Sequence, residues 1–277
     1  MEKILIIDCN NFCHRAWHTT GQLSHRGTPT GVIYGFFEQL FTVVKATRPD
    51  ECVFVWDSLQ SRRKARHPFY KLRPPGDDMT IAFQQFDLLR AELLPALGFR
   101  NVLRATGFEA DDIIARLCVD LLNGQSGGNL VIASADEDLF QLLGPRVSIF
   151  KYKNKSIITQ RQFEQTYGVF PSSWAEVKAI AGCTSDKVPG IVGVGQATAI
   201  KYLRGELPQT SKKYKAIEEG QDIIERNRWL VTLPLPGTPS FDIWPSSFDP
   251  NQYRMMCRRF GFSDGRGMVD DMEVFFT

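Results

Sequence analysis

The sequence predicts an α/β fold with a mostly parallel sheet in its first part and an all-helical second part. Two observations carry this expectation. Up to about residue 158, short apolar runs alternate with stretches whose apolar residues recur at helical spacing. Beyond it, only short helical segments with Gly and Pro punctuation follow. With 277 residues, 43% of them hydrophobic, the chain can bury a substantial core as one large domain or two intimate ones.

The runs Ile4 to Ile7, Cys52 to Trp56, Leu130 to Ala133 and Val147 to Phe150 have the length and β-branched content of buried strands. Apolar residues three and four apart predict helices over Val32 to Ala46, Ile81 to Leu97 and Ala110 to Leu122. In the second part, helices are expected at Arg161 to Tyr167, Ser173 to Ala181, Gln196 to Leu203 and Tyr214 to Trp229. A proline-rich stretch, Leu233 to Pro250, precedes a last helix at Gln252 to Phe262. The expected division is an α/β core over residues 1–158 and a helical region over 159–277. No solenoid repeat or low-complexity tract interrupts it.

A formal net charge of +2 and a pI of about 8.2 do not mark a nucleic-acid binder, so any such role has to rest on local charge. The six cysteines have no C-x-x-C spacing, which excludes a zinc ribbon and a thioredoxin-like site. Cys9, Cys52, Cys118 and Cys257 sit in apolar or helical contexts and read as reduced core residues of a cytoplasmic protein. The apolar run near the N-terminus ends at Asp8, too short for a signal peptide or a membrane span.

Asp8 and Asp57 each follow an apolar strand, at the carboxyl edge where open α/β sheets place ligands. Either alone could be a turn or capping residue. Asp136 and Asp138 follow a third strand in SADED, where Ser134 and Glu137 also fit a capping box. Glu109, Asp111 and Asp112 open a helix in GFEADDII, a place where the helix dipole by itself favours acids. Yet so many carboxylates converging on one sheet edge repel each other. Hard divalent cations are the simplest compensation, and all-oxygen ligation suits magnesium or manganese. The constellation points to phosphoryl chemistry.

After Asp57 comes SLQSRRKARHPFYKLRPPG, with Arg62, Arg63, Lys64, Arg66, Lys71 and Arg73 and no acid among them. A solvated basic face is the ordinary explanation. Next to a cation site, and interleaved with His67, Phe69 and Tyr70, the run suits phosphate neutralisation and stacking of an unpaired base. DKVPGIVGVGQATAIKYL sets Gly190, Gly193 and Gly195 before a helix without a preceding strand, which rules out a dinucleotide fold. A tight turn that brings backbone close to a DNA phosphate, with Lys187, Lys201 and Arg204 nearby, is one reading; glycines needed only for packing are the other.

In order, the stretches LIIDCNNFCHRAWH, GTPTGVIYGF, FVWDS, FYKLRPP, GFEADDII, SADEDLFQLL, YGVFPSSWAEVKAIAG and SDKVPGIVGVGQATAIKYL resemble the flap endonuclease (5′-nuclease) family, over residue 4 to about 203. The resemblance implies a PIN-like nuclease core and a helical arch over roughly residues 58–79. It also implies a helix-hairpin (H3TH-type) motif near 174–204 that grips duplex DNA and holds a potassium ion. By the same match Lys71 and Arg73 contact the scissile phosphate. Asp8, Asp57, Glu109, Asp111, Asp112, Asp136, Asp138 and Asp186 align with the family's metal-binding acids. The implied activity is magnesium- or manganese-dependent hydrolysis, with two ions, of DNA carrying a 5′ flap, a 5′ overhang or a nick; no membrane association is expected, and the sequence is silent on oligomeric state, for which a monomer is the expectation. Lys71 and Arg73 stand one residue closer together than the family's Lys and Arg. The family's G-D-x-x-D is here Gly182-Cys183-Thr184-Ser185-Asp186. A thiol is a poor ligand for magnesium, so the second ion is expected to bind weakly or only together with substrate. A branched-DNA binding protein that cuts poorly is the competing reading. A PIN-type ribonuclease would leave the helical half and the glycine turn unexplained.

Overall fold

Successive side chains of a strand point to opposite faces of its sheet, and here both faces are covered. Ile4 and Ile6 of the first strand join one buried cluster, Leu5 and Ile7 the other, which is why the run is apolar without alternation. The structure is a computed structural model that describes residues 3–72, 79–124 and 128–263.

In chain order the first part comprises β1 (Lys3–Asp8), α1 (Cys9–Thr20), a small hairpin of β2 (Ser24–His25) and β3 (Thr28–Pro29), α2 (Gly31–Thr47) and β4 (Glu51–Val55). Then come α3 (Arg62–Arg66), α4 (Thr80–Leu88), α5 (Leu94–Ala96), β5 (Val102–Leu103), α6 (Ala110–Asn123), β6 (Asn129–Ala133), β7 (Val147–Lys151) and β8 (Ser156–Ile158). The sheet has the order β5-β4-β1-β6-β7-β8. All neighbours run parallel except β7 and β8. After β1 the chain moves out to β4 and β5 on one side, then returns to β6 on the other. The crevice where such an order reverses, here between β1 and β6, is where open α/β sheets bind ligands.

The helical half contains α7 (Gln160–Tyr167), α8 (Trp174–Ala181), a hairpin of β9 (Gly182–Cys183) and β10 (Val188–Pro189), α9 (Gln196–Leu203), α10 (Lys212–Glu219), α11 (Gln221–Val231) and α12 (Pro250–Phe260). That part is therefore not all-helical: the β9–β10 hairpin carries Cys183 paired to Val188. The helix expected over Ile81 to Leu97 is interrupted by a π-turn at Leu89–Leu93. Pro95, with no N–H to donate, sits in the first turn of the resumed helix. The helix expected over Tyr214 to Trp229 breaks at Gly220, where a Cβ would lie 2.2 Å from Ile191 Cδ1. The α1 helix was not anticipated from periodicity. Its crossing with α2 needs Gly35, where a Cβ would meet Ala16 Cβ at 2.7 Å.

One cluster joins a sheet face to α6 and the helical half through Ile113, Leu117, Trp174 and Val177. The other joins the opposite face to α1, α2 and α4, and also takes Phe248, Tyr253, Met256 and Phe260. The last helix thus packs on the α/β core, not with the helical region to which the expected division assigned it.

Candidate active site

The carboxyl ends of β1, β4 and β6 converge at the crevice. Asp8 ends β1, is 6% exposed, and caps α1 by accepting from the Asn11 N–H at 3.0 Å. Its other oxygen accepts from the Ser134 hydroxyl, just past β6, at 2.7 Å. Ser134 also accepts from the Asp136 N–H, so it ties two strand ends together and takes no part in the capping box its spacing suggested. Asp57 accepts from the Ala110 N–H at 2.7 Å, which locks the start of α6 to the end of β4. Asp136 accepts from the Asp138 N–H at 2.8 Å.

These acids destabilise one another as anions. Burial, then the charge of Asp57, pushes the Asp8 carboxyl up to about 7. Burial, with Asp136, Asp8 and Asp57 around it, raises Asp111 well above the usual carboxylate range. Asp57 is raised by burial, against the pull of Lys71. Across the crevice, burial and Asp136 raise Asp138, and burial brings Asp186 to about 6.

Lys71 stands between the two groups. Its ammonium is 2.8 Å from Glu109 Oε2 and 4.0 Å from Asp186 Oδ1, and its N–H donates to the Asp186 carbonyl at 2.8 Å. Burial acts to raise Glu109, but Lys71, Arg63 and the Ser61 hydroxyl together outweigh it, and Glu109 falls below its ordinary value. The Ser61 hydroxyl and the Tyr70 phenol, at 2.8 and 3.0 Å, complete the donors to Glu109.

Residues 3–168 match the family described as the 5′-3′ exonuclease, N-terminal resolvase-like domain. The chain belongs to the 5′-3′ exonuclease family. It is 34% identical over 221 residues to a 5′-3′ exonuclease of Aquifex aeolicus, a match covering 79% of this chain and 72% of that protein. It is 31% identical over 204 residues to the thermostable DNA polymerase I of Thermus thermophilus, where the match covers 73% of this chain but only 24% of the polymerase. Among solved structures, the T5 D15 protein co-crystallised with metal ions superposes with a TM-score of 0.70 at 19% identity, over 99% of this chain and 97% of that one.

Measured against the family expectation of metal-binding acids, the donor set divides. Asp8, Asp57, Asp111 and Asp136 offer only oxygen and crowd one another, and burial drives the first three toward protonation; that chemistry fits hard divalent cations. The opposite group, Asp138, Cys183 and Asp186, includes a thiol and does not fit magnesium.

Asp112, expected among the metal-binding acids, is instead engaged by Arg63. It is fully buried and takes both guanidinium nitrogens of Arg63, at 2.6 and 2.7 Å. It also accepts from the Glu109 and Leu235 N–H groups, so its lone pairs are used. Arg63, expected at the DNA surface, is 2% exposed and donates further to the Leu230 and Thr232 carbonyls. Tyr70 was expected to stack on a base, but its ring is core, 3% exposed, with the hydroxyl on Glu109.

Arg62, Lys64 and Arg66 are exposed; Arg62 lies over Phe108 and Arg66 over Trp229. Lys187 and Lys201 are exposed beside the glycine turn. Gly190 is required by internal packing, since a Cβ there would lie 2.2 Å from the Ala181 carbonyl carbon. Gly193 (φ +75°) and Gly195 instead have nothing within 4 Å of the Cβ position and leave the turn open to approach. Arg73 lies outside the described residues.

Sequence reasoning missed Lys178, whose ammonium is 2.7 Å from Asp138, and the pair Asn10 and Asn11, which hold the Asp57 and Ala135 N–H groups. The adjacent asparagines after a strand-end aspartate were the available signal.

Proposed function

We propose that this chain is a metal-dependent DNA 5′-nuclease, a flap endonuclease and 5′-3′ exonuclease that hydrolyses phosphodiesters near a 5′ end, a 5′ flap or a nick. The observation that carries the reading is the convergence of the β1, β4 and β6 carboxylates on one crevice opposite Lys71. Asp8, Asp57, Asp111 and Asp136 would hold magnesium or manganese, which when bound supplies a Lewis acid for the phosphate and an activated water. Lys71 offers its ammonium to a phosphoryl oxygen, exchanging the Glu109 carboxylate for the substrate anion. Ser61 and Tyr70 keep Glu109 fixed during that exchange. Arg62, Lys64 and Arg66 would neutralise backbone phosphates, and Arg73 would join Lys71 at the scissile phosphate. The turn at Gly193 and Gly195, flanked by Lys187 and Lys201, would present backbone N–H groups to the duplex, with a potassium ion there. The six cysteines, all free and buried, suit a reducing cytoplasm, and we read the working form as a monomer.

The test is cleavage of a labelled 5′-flap duplex with and without magnesium or manganese, alongside Asp136→Asn. Metal-dependent products from the wild type, and bound but uncut DNA with the variant, are expected. Cys183 favours one alternative, a branched-DNA binding protein that cuts weakly. DNA bound but uncut by the wild type at millimolar metal, on every 5′-ended substrate, would establish that alternative instead.

A further inference from the structure

Asp138, Cys183 and Asp186 bring one ligand atom each to within 4.8 Å of one another. Cys183 Sγ is 3.9 Å from Asp138 Oδ2. A thiolate at about 2.3 Å and a carboxylate oxygen at about 2.0–2.2 Å from one tetrahedral ion stand roughly 3.6 Å apart, so a small closure brings both onto the same cation. The backbone around the site is held from two sides. The β9–β10 pairing and 5% exposure fix Cys183 in the floor, and Asp138 is held by its N–H on Asp136. Asp138, 8% exposed, pairs its Oδ1 with the Lys178 ammonium at 2.7 Å. Asp138 thus spends Oδ1 on Lys178 and turns Oδ2 toward the Cys183 sulfur, which also lies 3.0 Å from the Ser185 hydroxyl, so Oδ2 and the sulfur are the donor pair open to a cation.

We infer that Asp138, Cys183 and Asp186 form a site for a thiophilic divalent cation of the zinc, cobalt or cadmium kind, in place of a second magnesium. The inference rests on the reading of this crevice as a divalent-cation centre. Magnesium demands near-octahedral oxygen ligation and dehydrates reluctantly, and neither need is met by a mixed thiol and carboxylate set. Zinc and its congeners accept four ligands of mixed sulfur and oxygen character. On binding, the Cys183 S–H proton passes to water as the sulfur–metal bond forms, and no electrons change hands. Among the described residues, no other cysteine shares such a group with two carboxylates. The consequence is a mixed centre, with an all-oxygen site near Asp8 and Asp111 and a sulfur-containing site across the crevice.

The probe is cobalt(II) added to the full chain, read by the near-ultraviolet thiolate-to-cobalt charge-transfer absorption. A saturable band is expected that excess magnesium leaves in place and cadmium displaces. Cys183→Ser, close to isosteric, should lose the band and weaken cadmium binding by at least ~tenfold, while its melting curve in the absence of metal stays near that of the wild type. Cys183→Asp should also lose the band. A band that persists in Cys183→Ser, or none in the wild type while magnesium still supports cleavage, would overturn this inference and leave the nuclease reading standing. Failure of every divalent ion to bind or to support cleavage would overturn both.

Discussion

Asp112 lies next in sequence to Asp111, an acid of the crevice proposed to hold metal, so removing Asp112 separates a structural role from a ligand role. Asp112→Ala would leave the Arg63 guanidinium buried, 2% exposed, with its carboxylate partner gone. The Glu109 and Leu235 N–H groups would lose their acceptor in the same step. Breaking a buried pair from one side costs about 3–5 kcal/mol, against a total stability of about 5–15 kcal/mol for a typical protein. For a chain of this length that corresponds to a fall in Tm of roughly 10 °C. Replacing both partners, Arg63→Met with Asp112→Leu, removes the uncompensated charge and should recover most of the loss. Urea unfolding of the wild type, the single variant and the double variant measures this directly. At temperatures where Asp112→Ala stays folded, its magnesium dependence should match that of the wild type. A variant as stable as the wild type whose metal requirement has risen would refute the reasoning and return Asp112 to the ligands.

Lys71→Ala should lower the single-turnover rate at saturating enzyme more than tenfold, on the order of 2 kcal/mol of transition-state stabilisation; full rate would remove Lys71 from the chemistry. The metal-free protein should lose stability as pH rises from about 4 to about 7, because Asp8 and Asp186 are raised from 3.8 to about 7 and about 6. In that window the folded state holds protons that the unfolded state has released, so the slope of stability against pH is negative. The shift at Asp8 alone corresponds to about 4 kcal/mol. Melts should show magnesium stabilising the protein more at pH 8 than at pH 5, and an equal effect at both would contradict the electrostatic account of the crevice.

The strands were legible because β1, β4, β6 and β7 are covered on both faces, and continuous apolar runs of that length have few other uses. The helix α1 was not, since CNNFCHRAWHTT mixes buried Cys9, Phe12, Cys13 and Ala16 with polar residues that dilute its periodicity. The β9–β10 hairpin escaped for another reason. It is two residues a side, stabilised by its packing between α8 and the glycine turn, and no local propensity announces it. The destination of α12 was likewise hidden. Its amphipathic pattern predicts a buried face but cannot say that Phe37 and Phe41 of α2 supply the partner.

At the site, the sequence located the acids but could not orient them, and the difference is angular. Consecutive residues of a helix point about 100° apart, so Asp111 and Asp112 in GFEADDII cannot both face one cation. The structure turns Asp111 toward Asp136 and Asp8, and Asp112 toward Arg63. The same limit applies to the basic run, where a count of cations cannot show that the short α3 directs Arg63 inward while Arg62 and Lys64 remain in solvent. The two misreadings are one fact seen from both ends. A buried guanidinium needs a buried carboxylate, and once Arg63 is inside, one of the acids in GFEADDII has to turn away from the crevice to meet it. The pair then fastens the base of the segment carrying Lys71 to the helix carrying Glu109 and Asp111. The apparent surplus of both charges in the sequence thereby serves to hold Lys71 against its carboxylate Glu109.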